Sequence, residues 1–129
     1  MTREIKFRAW VVSLDNGEGE MIDVATAGPS LNDPERVFDI KGQKYKDDWF
    51  TISPLMQYTG LKDKNGVEIY EGDIVKYIGQ LNPDRYKLFI IEWDDKLAGF
   101  YAGGGQIQRT KGYEVIGNIY ETPELLDKN

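Results

Sequence analysis

The sequence predicts an all-β fold. Three observations carry that prediction: apolar and polar residues alternate with period two in several short runs, turn signals recur at roughly eight- to twelve-residue intervals, and no long stretch shows helical periodicity. The chain's 14 glycines supply bends that other residues tolerate poorly.

From Ile5 onward, Ile5, Phe7, Ala9 and Val11 point to one side and Lys6, Arg8 and Trp10 to the other, the pattern of a half-buried first strand. Asn16 and Gly17 in "DNGEGE" make a turn, and Met21, Ile22 and Val24 form the returning strand of an N-terminal hairpin. Residues 26–48 are less legible. Asp33 before Pro34 fits the capped start of one or two turns of helix at "PERVFDI", with a strand as the alternative. "KGQKYK", Lys41 to Lys46, reads as a solvated loop, with a nucleic-acid contact as the alternative. "DWFTIS" reads as a strand that Pro54 ends or kinks.

The stretch "TGLKDKNGVEIYEGDIVKY", Thr59 to Tyr77, allows two hairpin registers. A two-residue loop at Asn65 and Gly66 would set Asp63 against Glu68 and Lys62 against Ile69, pairing like charges and wasting an apolar side chain. A three-residue loop of Lys64, Asn65 and Gly66, with Gly66 left-handed, pairs Asp63 with Val67, Lys62 with Glu68, Leu61 with Ile69 and Gly60 with Tyr70. Opposite charges then meet, and Tyr70 covers the bare backbone of Gly60. The three-residue loop is therefore expected.

Glu71, Gly72 and Asp73 form a second tight turn into Ile74, Val75 and Tyr77, a habit of small SH3-like barrels in which one strand bends sharply. "LNPDR" follows as a loop, "YKLFIIEWDD" as a strand carrying Leu88, Ile90 and Ile91, and "DDKLAG" as a turn. "FYAGGGQIQ" reads as a glycine-rich hairpin. In the last strand, "YEVIGNIYE", Tyr113, Val115 and Ile119 share one face and Ile116 and Tyr120 the other. Cover on both faces would make it a central strand or a subunit contact. Thr122 and Pro123 open a short C-terminal helical turn, "TPELL".

Composition narrows the function. With 129 residues, 40% of them hydrophobic, the chain can bury a core of its own. It contains no cysteine and no histidine, which excludes disulfide frameworks, zinc ribbons, thiol nucleophiles and every histidine acid or base. A net charge of -6 with dispersed acids opposes nonspecific binding to phosphate backbones. "MTREIKFRAW" reads neither as a secretory signal nor as a membrane span, so a soluble intracellular protein is expected.

Four kinds of candidate site remain. Asp63, Glu68, Glu71 and Asp73 offer oxygen ligands for a hard cation such as Mg²⁺, but their spacing fits no calcium loop, and carboxylates are favoured in turns for conformational reasons. Glu92, Asp94 and Asp95 read as a solvent-facing hairpin turn. Gly103 to Gly105 invite comparison with a phosphate loop, but that needs a strand before, a helix after and usually a lysine, whereas the neighbours here read as strand and loop on both sides. Trp10, Tyr58, Tyr70, Tyr77, Trp93 and Tyr120 could form a stacking or peptide-binding surface; burial in the core or between subunits is the favoured reading. No catalytic residue, cofactor or metal site is assigned.

"REIKFRAW", "LMQYTGLKDKNGVEIYEGDIVK" and "VIGNIYETPELL" resemble, in order and spacing, the signature blocks of the YopX family of phage and prophage proteins. The resemblance spans nearly the whole chain, except that residues 26–48 carry no matching block. It implies a phage or prophage protein of the bacterial cytoplasm, an SH3-type barrel in the later part of the chain and homo-oligomerisation. It implies no activity and carries no catalytic residues over.

The expectation is one YopX-like domain. It comprises an N-terminal β-hairpin and loop region over residues 1–53, an SH3-like barrel over 54–121 and a C-terminal tail over 122–129. Its expected function is that of a non-enzymatic, self-assembling interaction module with no cofactor, whose partners are other copies and a phage or host protein, with no membrane. A nucleic-acid-binding module is the alternative, and a carboxylate metal-dependent hydrolase the third reading. Among the aromatics, Trp10, Tyr58, Tyr70, Trp93 and Tyr120 are the candidate interaction surface.

Overall fold

The computed structural model describes residues 4–78, 86–96, 98–102, 105–106 and 112–128. The described residues are all-β, with antiparallel pairing throughout and one 3-10 helix over Pro123–Lys128. The chain divides into two compact units, Met1–Gln57 and Tyr58–Asn129, each with its own core.

In the first unit, β1 (Phe7–Ser13) and β2 (Gly19–Gly28) form the expected hairpin, with Phe7 opposite Val24 and Val12 opposite Gly19. Ser13 N–H donates to Glu18 O and Gly17 N–H to Ser13 O, and Gly17 takes φ +75°. Ala9 and Val11 are buried with Ile22, Val37 and Tyr45, as period-two alternation requires; Ile5 precedes the strand and is 62% exposed. Aromatic cover of a strand glycine occurs here, where a Cβ on Gly19 would run into the Trp10 indole.

"PERVFDI" is a strand, not a helix: β3 (Arg36–Asp39) pairs with β2 and with β4 (Lys44–Lys46). Val37, flanked by Ala27 and Tyr45, has no exposed surface. Burying that position between two neighbours outweighs a helix of one or two turns, which is marginal without tertiary support. Lys44 to Lys46, expected in a loop, thus belong to the sheet.

β5 (Phe50–Ile52) and the start of β6 (Met56–Lys62) both pair with β1, on the edge away from β2. The chain shifts between them at Ser53. Ser53 N–H donates to Trp10 O, and the Trp10 N–H donates to Ser53 Oγ, so a side chain completes the ladder where Pro54 interrupts it.

In the second unit, β6 pairs with β7 (Glu68–Tyr70), while the five-stranded order is β11-β10-β9-β8-β12. These are β8 (Asp73–Ile78), β9 (Tyr86–Asp94), β10 (Gly99–Ala102), β11 (Gly105–Gln106) and β12 (Tyr113–Asn118). Ile69, Val75, Ile91 and Ala102 form the core, with Leu61, Phe89, Phe100, Tyr113 and Val115 against them. No closed barrel forms among the described residues, because no pairing joins β11 to β12. The "LNPDR" loop and Gly103 and Gly104 lie outside the described residues; Gly105 pairs with Ala102.

Among the described residues β12 pairs with β8 alone and ends the order, not in the central place that is one of the two readings of its apolar faces. A register shift between Val115 and Gly117 interrupts its alternation, and Ile119 and Tyr120 lie beyond it in a turn. Its other side is met by a turn: Lys64 N–H donates to Tyr113 O at 3.2 Å, and Val115 N–H donates to Asp63 Oδ2 at 2.9 Å. Backbone groups that a strand neighbour would have taken are thereby satisfied. Thr122 Oγ1 then accepts from Asn118 N–H ahead of the terminal 3-10 helix.

Candidate functional site

The three-residue loop is present. Lys62 lies opposite Glu68, Asp63 N–H donates to Val67 O, and Gly66 takes φ +84°. Beyond Lys62 the expected register fails: Tyr70 lies opposite Tyr58, not Gly60. The shift puts two extra residues into β6, and Gly60 at φ +87° absorbs the bend while Leu61 N–H donates to Thr59 Oγ1. A tyrosine facing a tyrosine gains ring contact, with centroids 5.5 Å apart, that cover of a glycine would not supply.

Asp63 is the hub of this hairpin. Its Oδ1 accepts from Asn65 and Val67 N–H at 2.8 and 2.9 Å, and its Oδ2 from Val115 N–H. Burial of the carboxyl acts upward on its pKa, but these three donors together with Lys64 bring it below the ordinary value. Asp73 is 1% exposed, and its Oδ2 accepts from Tyr70 N–H at 2.8 Å. Of the four candidate cation ligands, two therefore direct carboxylate oxygens at backbone donors of their own turns. Among the described residues no three acidic groups come together as a metal-binding set. Asp94 and Asp95 likewise serve their turn: Asp94 Oδ1 accepts from Lys96 N–H, and Asp95 Oδ1 from the Trp93 indole at 2.7 Å.

The candidate aromatics separate. Trp10 lies in the first unit over Gly19. In the second unit, Tyr58 and Tyr70 pack on each other at 5% and 6% exposure, which places them in the interior and not on an open surface. Tyr120 is half-buried beside Asn118, whose Oδ1 accepts from its N–H. Trp93, which meets the edge of Phe100 at 4.9 Å, remains 44% exposed. Tyr77 stacks on Tyr113 at 5.0 Å, and burial first, then Tyr77, raises the Tyr113 pKa.

Cross-strand register places Tyr77 and Trp93 on the core side of their sheet. Val75 faces Phe89, Ile91 faces Ala102, and Tyr77 and Trp93 follow two residues beyond Val75 and Ile91 on the same side. The apolar face thus runs past the residues that cover it and ends at both sides in an exposed ring. Sequence reading overlooked a further pair in the first unit, Leu14 and Trp49, exposed by 58% and 59%. Trp49 reads as part of a strand in "DWFTIS", but β5 begins only at Phe50.

The described residues thus form an all-β chain of two compact units, in which the acidic turn residues Asp63 and Asp73 bond to backbone donors. The family model described as "YopX protein" matches residues 6–127, and the chain belongs to the YopX family. A crystal structure of protein EF1440 from Enterococcus faecalis is similar at 32% identity and a TM-score of 0.70, over 97% of this chain and 99% of that one. No curated protein matches. No helix among the described residues is long and apolar enough to cross a membrane.

Proposed function

We propose that the chain is a non-enzymatic, self-assembling interaction module of a phage or prophage, acting in the bacterial cytoplasm with copies of itself and with a phage or host protein. The observation that carries the reading is the unfinished apolar face of the second unit, which ends in Tyr77 at 39% and Trp93 at 44% exposure. Aromatic rings at the end of a core face are the groups that subunit contacts bury preferentially. The phage setting comes from the family resemblance, as does the SH3-type barrel over residues 54–121, whose strands remain open at β11 and β12 among those described.

Size-exclusion chromatography with light scattering tests the assembly. The expected mass is a multiple of the 14.8 kDa chain, reduced by Tyr77→Ser and Trp93→Ser. A strict monomer throughout the micromolar range overturns it.

A further inference from the structure

We infer that the turn end of the first unit carries a docking groove for a basic, partly apolar peptide segment of a partner protein. Two open hollows of about 420 and 500 Å³ adjoin there and share Ser13 and Phe50. The larger is lined by Leu14 and Trp49, 58% and 59% exposed, with the Leu14 N–H donating to Trp49 O at 2.9 Å. The bond is between backbones, and both side chains remain more than half exposed, open to an apolar residue.

The rim decides the occupant. Asp15 and Asp48 line one hollow, Glu18 and Glu20 the other, and all four are exposed. None is in an ion pair among the described residues, whose salt bridges include those of Lys6 with Glu4 and Lys64 with Glu114. Two carboxylates in the hollow of Trp49 and two more in the adjoining one form a field that favours lysine or arginine and repels an acidic segment. The ring is already engaged by a cation: Lys46 Nζ stands 5.3 Å from its centroid while the residue stays 59% exposed. The hollows are shallow and shared, which suits an extended segment, with cationic side chains reaching the rim and alternate apolar ones reaching Leu14 and Trp49.

The groove lies in the first unit, whereas the proposed assembly rests on Tyr77 and Trp93 of the second, so each can fail alone. The probe is a fluorescein-labelled nine-residue peptide of alternating lysine and leucine, titrated with the full chain by fluorescence anisotropy. Saturable micromolar binding is expected, weakened about tenfold or more between roughly 0.05 and 0.3 M salt. Trp49→Ala and Leu14→Ser should each weaken it about tenfold, and the pair Asp15→Asn with Asp48→Asn should flatten the salt dependence. Both apolar positions are exposed, so the variants should fold, which circular dichroism checks. Lack of saturation, equal binding of the glutamate–leucine peptide, or wild-type affinity in Trp49→Ala overturns the inference. So does an assembly that Trp49→Ala dissociates, since the occupant would then be a second copy.

Discussion

Two hairpins, one in each unit, are turned by the same five-residue device and differ in where one oxygen atom goes. In Asp39–Ile40–Lys41–Gly42–Gln43, the aspartate Oδ1 accepts from Lys41 and Gln43 N–H, Gly42 N–H donates to Asp39 O, and Gly42 takes φ +89°. In Asp63–Lys64–Asn65–Gly66–Val67 the same bonds recur, with Gly66 at φ +84°. The second oxygen separates them. Asp39 Oδ2 accepts from the hydroxyl of Tyr45, six residues along, at 3.3 Å; Asp63 Oδ2 accepts from Val115 N–H, 52 residues away. A local turn element has thus become, in the second unit, the tie that finishes the edge of β12.

The largest expected effect follows from that difference. Asp63→Ala leaves three backbone donors without their acceptor and should cost about 3 kcal/mol, against about 2 kcal/mol for Asp39→Ala, whose third bond is long and made to a hydroxyl. Urea denaturation measures both. Amide hydrogen exchange separates them further: Val115 should lose protection in Asp63→Ala and keep it in Asp39→Ala. Equal exchange at Val115 in the two variants would reduce Asp63 to a turn residue.

Acid should erode the same advantage. The folded-state pKa of Asp63 is depressed, so its ionised form stabilises the fold above the unfolded carboxyl value of about 3.9 and that contribution is lost as pH falls through the folded value. The stability gap between wild type and Asp63→Ala should therefore narrow below about pH 4 and stay constant from about pH 5 to 7. A gap independent of pH down to about 2 would show that the carboxylate charge contributes nothing.

The two glycines should behave alike. A Cβ at Gly42 or Gly66 would meet nothing within 4 Å, so only the left-handed backbone opposes it. Each substitution by alanine should cost about 1 kcal/mol, read as a matched fall in the denaturation midpoint. A much larger loss at Gly66 would mean that the turn is under load from β12.

How far this was legible depends on the range of the contact that decides each element. The loop at Gly66 was readable because charge pairing and the glycine requirement act within five residues. The twin at Gly42 carried the same aspartate-to-glycine spacing, yet Asp33 and Pro34 drew attention to a helix start, and nothing local revealed that Val37 would be enclosed by Ala27 and Tyr45. Gly60 likewise looked like a glycine beneath a ring, because a two-residue shift that brings Tyr58 to Tyr70 is fixed by packing in the core. The apolar faces of β12 were visible; that a turn would stand beside it was not, since the decisive bond spans 52 residues. Of the aromatics, types were legible and exposures were not: Trp49 reads as part of a strand, yet it falls one residue before β5 and is 59% exposed.

The turn between β9 and β10 shows what happens where the device is absent. Asp94 Oδ1 still accepts from Lys96 N–H, but Asp94 pairs with Gly99, the loop is longer, and the left-handed position falls on Ala98, at φ +51°. An alanine there bears a steric cost that glycine avoids, partly offset because glycine loses more conformational freedom on folding. Ala98→Gly should therefore raise stability by about 0.5 kcal/mol, the smallest of these effects and the only one of positive sign. A thermal melt showing a loss instead would mean that the alanine methyl makes a contact worth more than the backbone strain it causes, and that this turn, unlike those at Gly17, Gly42 and Gly66, has no use for glycine at its left-handed position.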